Sequence, residues 1–193
     1  MMTRMLLLTL LAISLVFCSG FGRRPSLVER VLRSVVAVTF TTDDGNPRLC
    51  TGFVVNTRRG EVLTARHCLN PDGEVRVDDK PSQVLKKDDA FALLSIHPMS
   101  RPSMDIRTKP LLIGERVFTF GFGYGMLEVF GRGIAVKHEG DIGMDGPILP
   151  GMSGGPVVDM EGKVVGINQS SNGMMGIACG QDELKTFLGG EKD

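Results

Sequence analysis

Pro150-Gly151-Met152-Ser153-Gly154-Gly155-Pro156-Val157 frames one serine with glycines, and that frame narrows the chemistry the chain can carry. Gly151 lets the backbone approach a ligand closely and take conformations that a side chain forbids. A turn of this kind can aim the N–H groups of Gly151 and Ser153 at one point, where a developing oxyanion would sit. The Ser153 hydroxyl then faces the same carbonyl as a nucleophile. This is an acyl-transfer arrangement, provided a base stands nearby.

Candidates for the base are few, because the chain holds three histidines. His67 closes Leu63-Thr64-Ala65-Arg66-His67-Cys68, an apolar strand end running into a His-Cys pair, whereas His97 and His138 lie in polar surroundings that bear Gly or Pro. A single histidine is more often structural or solvated than catalytic. What raises His67 is its pairing with the glycine-flanked serine. Gly151-Met152-Ser153-Gly154-Gly155 also fits the nucleophile elbow of α/β-hydrolases. That alternative needs a helix after the serine and a histidine further on. Here Pro156-Val157-Val158 reads as a strand and no histidine follows Ser153.

Together these segments resemble the His and Ser motifs of trypsin/chymotrypsin-like serine proteases, closest to the bacterial HtrA (Deg) type. Ser26 to Val38 is similar to the short helix and first strand that open such domains, and Cys50-Thr51-Gly52-Phe53-Val54-Val55 to the strand before the histidine. Pro110 to Gly125 and Gly131-Arg132-Gly133-Ile134 resemble the glycine-punctuated start of the second barrel, and Gly162 to Ile167 follows the serine as in the family. The resemblance implies a chymotrypsin-like fold, His67 and Ser153 as catalytic residues, and Gly151 with Ser153 as the oxyanion hole. It also implies a Cys50–Cys68 disulfide, with Cys179 a buried free thiol. No PDZ domain, which many HtrA-type proteins carry, is expected after the catalytic domain.

Composition sets wider bounds. The chain has 193 residues, 22 basic and 22 acidic side chains, and 42% hydrophobic residues, enough for one globular unit or two small barrels sharing an interface. A formal charge of zero gives no electrostatic reason to expect nucleic acid. The histidines and cysteines lack the spacing of a zinc site, so no metal and no cofactor is expected. Residues 1–20 have the form of a secretory signal peptide: Arg4, then an uncharged apolar run from Met5 to Phe17, then Cys18-Ser19-Gly20. The run is short for a transmembrane helix, which needs roughly 20 apolar residues. Leu15-Val16-Phe17-Cys18 also resembles a lipobox, with Phe17 bulkier than that motif wants. The protein is therefore expected to be exported, periplasmic or secreted. The signal segment, or lipid on Cys18, would be its one membrane contact.

Ser26-Leu27-Val28-Glu29 has the form of a capping box before a short helix. From Val35 the pattern switches to short β-branched and aromatic runs broken by Gly, Pro, Asn and Asp. Strands are expected at 35–41, 49–56, 62–65, 74–77, 83–85 and 91–96, and again at 116–120, 128–136, 147–149, 156–159, 163–169 and 174–179. The expected fold is all-β: two packed six-stranded antiparallel barrels, about 34–96 and 110–180, joined by a linker at 97–109. A C-terminal helix is expected at about 181–189.

The third member of a triad is the weak point. In the family a buried aspartate begins a strand of the form Asp-apolar-Ala-apolar-Leu, and it holds the histidine in the correct tautomer. Matching Phe91-Ala92-Leu93-Leu94 to that strand puts Ala90 at the aspartate's position. Asp89 is expected to reach His67 through a bulge at the strand entry, with Asp88 the alternate; both as solvated turn residues is the plain reading. Arg66 also departs from the family, as does Met152, where trypsin has an aspartate. By resemblance Pro147 lies near the base of the specificity pocket, Ile148 and Pro150 on its wall, and Ile167, Asn168 and Gln169 on a strand that pairs with substrate backbone. The reading is a serine endopeptidase acting on polypeptides with a small or medium apolar residue before the cut. The alternative is a catalytically weak or inactive pseudoprotease that binds extended peptides.

Overall fold

The structure, a computed structural model, describes residues 25–70, 73–134, 136–138, 141–171 and 175–189. The expected signal segment and Cys18 lie outside the described residues. The chain opens on α1 (Leu27–Leu32), which begins where the capping box places it. Ser26 Oγ accepts from the Glu29 amide at 3.2 Å, and the Glu29 carboxylate accepts from the Ser26 amide at 2.6 Å. The helix turns Val31 inward.

Seven strands follow: β1 (Val35–Thr41), β2 (Pro47–Asn56), β3 (Glu61–Ala65), β4 (Val75–Val77), β5 (Lys80–Pro81), β6 (Gln83–Lys87) and β7 (Phe91–Ser95). They form one sheet in the order β5-β4-β1-β2-β3-β7-β6, every pair antiparallel. The second sheet holds β8 (Arg116–Gly123), β9 (Met126–Ile134), β10 (Val136–His138), β11 (Asp141–Met144), β12 (Pro156–Val158), β13 (Val164–Ser171) and β14 (Gly176–Gly180). Its order is β10-β11-β14-β13-β12-β8-β9, again antiparallel throughout. The chain ends its described course in α2 (Gln181–Gly189).

The architecture is therefore all-β with short terminal helices. The strand lists differ in detail: each sheet has seven strands, β5 and β10 being very short. Residues 147–149 are irregular, and β11 makes the ladder with β14, Ile142 opposite Ala178. Pro147 and Pro150 lack amide donors and cannot serve a ladder, while Asp141-Ile142-Gly143-Met144 is poor in strand formers and is held by its neighbours.

Three apolar clusters organise the molecule. One fills the front sheet (Val36, Val38, Val54, Val62, Leu94) and one the rear (Val117, Met144, Met152, Val157, Val165). The third joins them. It combines Val35, Phe53, Leu63 and Phe91 from the front with Phe120, Val164, Ile167, Leu184 and Phe187 from the rear. Met104, in the segment between the sheets, belongs to this shared cluster, and its amide bonds the Val54 carbonyl at 2.8 Å. Val164 exchanges bonds with the same segment, donating to Asp105 and accepting from Arg107. The cleft between the halves is thus defined by a packed core beneath it.

Candidate active site

Ser153 sits on a loop whose shape is set from several sides. The Met152 amide bonds the Leu149 carbonyl and the Gly155 amide bonds the Met152 carbonyl, both at 3.0 Å. Gly151 has φ +98°, and a Cβ there would stand 2.2 Å from the Phe122 carbonyl oxygen. Only glycine fits that position. Met152 is fully buried in the rear cluster and acts as the loop's anchor.

Two buried polar side chains complete the loop's support. Asn168 is fully buried; its Oδ1 accepts from Thr119 at 2.6 Å and its Nδ2 donates to the Phe120 and Met152 carbonyls at 3.2 Å. Thr51, on β2 of the front half, donates its hydroxyl to the Gly151 carbonyl at 2.7 Å and accepts from the Phe122 amide at 2.9 Å. Its amide bonds the Ser153 carbonyl at 2.8 Å. Among the described residues, the amides of Gly151 and Ser153 donate no hydrogen bond. The Ser153 hydroxyl donates to the Gln169 carbonyl at 3.4 Å.

His67 lies in a single 3₁₀ turn, Arg66–Cys68, at the end of β3. The turn is pinned by the Arg66 amide bonding the Ala90 carbonyl at 2.9 Å and by the Cys50–Cys68 disulfide, whose Cα atoms are 5.9 Å apart. A ring nitrogen of His67 lies within 4.8 Å of both disulfide sulfurs. The Cys68 sulfur in turn lies 3.6 Å from the Ser153 carbonyl oxygen; a disulfide sulfur carries no proton, so this is a packing contact. The imidazole and the serine loop therefore abut the same sulfur. Solvent reaches His67, yet the surrounding protein desolvates the ring and lowers its pKa from the ordinary value.

The two aspartates do not meet His67. Asp88 spends Oδ1 on the amides of Ala90 and Phe91, at 2.9 and 2.7 Å, forming the turn that starts β7. Asp89 is exposed. Both line a cleft against α2 with Asp182 and Glu183. Among the described residues no carboxylate comes within the 4.0 Å of an ion pair with His67. Asp88 caps the turn that leads into β7, and β3 pairs with β7 in unbroken register from Ala65 opposite Phe91. Arg66 is half-buried and likewise forms no ion pair among these residues.

Beside Ser153 opens a cavity of about 500 Å³, lined by Tyr124, Pro147, Ile148, Leu149, Pro150, Ser153, Ser170 and Ser171. Pro147, Ile148 and Pro150 are among the residues that line it. The side chains of Ile167 and Asn168 are fully buried, and the Asn168 amide and carbonyl bond Gly155 and Gly154. Tyr124 was not anticipated. It sits in a Gly-Tyr-Gly turn at φ +49°, and its amide bonds the Pro150 carbonyl at 2.9 Å. Thr51 was read only as part of a strand.

Among the described residues, metal-type donors gather at two places. Cys50, His67 and Cys68 converge, but the disulfide occupies both sulfurs. Asp141, Cys179 and Glu183 converge behind α2. There Cys179 is buried and unbridged, and burial first, with Glu183 second, pushes its thiol pKa far up. It stays protonated and donates to Glu183.

The family model described as trypsin-like peptidase domain matches residues 50–167. The chain belongs to that family. This trypsin-like domain is 32% identical over 149 residues to a probable periplasmic serine endoprotease, DegP-like, of Hahella chejuensis, covering 66% of this chain and 31% of the relative. It is 33% identical over 157 residues to the protein so named in Marinomonas sp., covering 67% and 32%. The chain thus spans about a third of the length of these relatives. Among solved structures, the trypsin-like domain resembles the serine endoprotease from Yersinia pestis, with TM-score 0.73, 22% identity, and coverage of 87% of this chain and 67% of that one. The active form of the Rv3671c protease from M. tuberculosis gives TM-score 0.72 at 20% identity, covering 89% and 92%. These structural likenesses support the chymotrypsin-like fold.

Proposed function

We propose that this trypsin-like domain is an exported serine endopeptidase. The observation that carries the reading is a serine at the mouth of a cavity, its loop offering two amides that donate no hydrogen bond among the described residues and meeting, at the Cys68 sulfur, the turn that bears His67. Ser153 Oγ attacks the peptide carbonyl carbon while its proton passes to Nε2 of neutral His67. The carbonyl oxygen becomes an oxyanion that accepts from the Gly151 and Ser153 amides. Collapse breaks the C–N bond, and His67 returns the proton to the leaving amine. Water then attacks the acyl-enzyme by the same route, releasing the acid and restoring the Ser153 hydroxyl.

No carboxylate lines the cavity, so a small or medium apolar residue before the cut fits it and Lys or Arg does not. Export is supported by the signal-like residues 1–20 and by the word periplasmic in the names of the curated relatives. A second reading, peptide binding without cleavage, is favoured by one observation: neither Asp88 nor Asp89 contacts His67.

One experiment separates the two. A fluorophosphonate probe is expected to label wild-type protein and not Ser153→Ala, and casein is expected to be digested by wild type alone. Folded wild type that takes no label and leaves casein intact would establish the binder.

A further inference from the structure

Ala90 leaves the carboxylate's place beside His67 to another residue. The register brings it there: Ala65 pairs with Phe91, and the Arg66 amide bonds the Ala90 carbonyl, so Ala90 flanks the turn that carries His67. What reaches this point from the rear half is Gln169. It is half-buried at a bulge of β13, between the pairs Asn168–Ala178 and Ser170–Ile177. Its Nε2 donates to the Ala90 carbonyl at 3.0 Å, and its own carbonyl accepts from Ser153 Oγ at 3.4 Å. One residue thus touches both the nucleophile and the vacant acid position.

We propose that Gln169 is a positioning residue, standing in for the orienting carboxylate: the His67 ring donates no hydrogen bond among the described residues, and in the working site the Oε1 of Gln169, its Nε2 held by Ala90, receives the ring's Nδ1–H. The proposal rests on the protease reading of the site. The amide's orientation is not arbitrary. The Ala90 carbonyl only accepts, so it requires the NH₂ end of Gln169 and leaves the oxygen for the ring. An amide that turned NH₂ to the ring would hold the wrong tautomer, a change that costs about 10⁴ in turnover in the worked example of the triad. Held by Ala90, Gln169 selects the tautomer with Nε2 free for the Ser153 proton. It takes no proton itself and adds no negative charge.

Arg66 on its own turn, and Asp88 and Asp89 on the turn before β7, are the charged groups of neighbouring described elements; the Ser153 loop from 147 to 156 and β13 contribute none. A carboxylate introduced at 169 would therefore be the first to face the ring. In the full chain carrying Gln169→Glu, the His67 resonance, assigned by its loss in His67→Gln, is expected to titrate about 1 pH unit or more higher. Gln169→Leu is expected to slow fluorophosphonate labelling of Ser153 by roughly 10- to 100-fold, and adding Ala90→Asp to that variant restores at least part of the rate. A His67 titration unmoved by Gln169→Glu overturns the proposal, even where Gln169→Leu fails to fold. So does an unchanged labelling rate in folded Gln169→Leu. The titration is read without turnover, so wild type that digests no casein yet shows the shift would sink the protease reading and leave the positioning role standing.

Discussion

Thr51 lies in the front half and holds the Gly151 carbonyl of the rear half with a hydroxyl that also accepts from Phe122. Thr51→Val keeps the shape and removes both bonds, leaving a buried carbonyl and amide unpaired. The expected loss is about 1–3 kcal/mol of stability, read as a lower denaturant midpoint, together with a fall in kcat. Gly151→Ala is expected to be harsher. Its Cβ must displace the Phe122 carbonyl from 2.2 Å; alanine keeps the amide, and a shift that misaims it is expected to cost up to roughly 10² to 10³ in turnover, the cost of losing an oxyanion donor. The pH profile follows from His67. Catalysis needs the neutral ring, and burial lowers its pKa below the ordinary 6.5. The neutral base therefore persists further into acid, and the acid limb of Ser153 labelling is expected to have its midpoint below pH 6.5. A midpoint above 6.5 would mean that a carboxylate faces the ring after all. The candidate serine and histidine were visible in the sequence because glycine spacing and a His-Cys pair are local signals. The acid was not. Whether Asp88 reaches the ring or caps its own turn depends on a competition with the amides of Ala90 and Phe91, which no spacing rule resolves.

At the scale of elements, the disulfide is the staple of the histidine turn. It joins residues 18 apart, and closing a loop of that length stabilises by about 3 kcal/mol on the chain-entropy account. Replacing both cysteines with serine is expected to lower the melting temperature by roughly 6–12 °C and to lower the labelling rate of the protein that remains folded, because the His67 ring loses its sulfur backing. Equal labelling rates would show that the turn holds without the bridge. Capping and alternation made α1 and most strands readable. The exchange of residues 147–149 for β11 was not, because β11 exists by pairing with β14 rather than by its own composition. The burial of the Ile167 and Asn168 side chains was hidden for a related reason. A strand's edge and its core face look alike until its partners are known, and here the partners bury both residues.

Across the whole molecule, the shared cluster sets the mode of unfolding. Phe91, nearly fully buried, packs on Phe187 of α2 with ring centroids 5.4 Å apart, while Phe53 and Phe120 approach from opposite sheets. Phe91→Ala is expected to cost about 3–5 kcal/mol. The front and rear sheets should then lose structure in a single transition, with activity and circular dichroism falling together on denaturant titration. Separate transitions would show that each half stands alone. The Thr51 tether adds a consequence of its own. Through the Gly151 carbonyl, the loop that carries Ser153 hangs from a buried hydroxyl of the front half, so the spacing between the front and rear walls and the aim of the Gly151 and Ser153 amides are mechanically one variable. Whatever levers the walls apart, whether ligand, pressure or solvent, would switch the nucleophile's surroundings off long before any strand is lost.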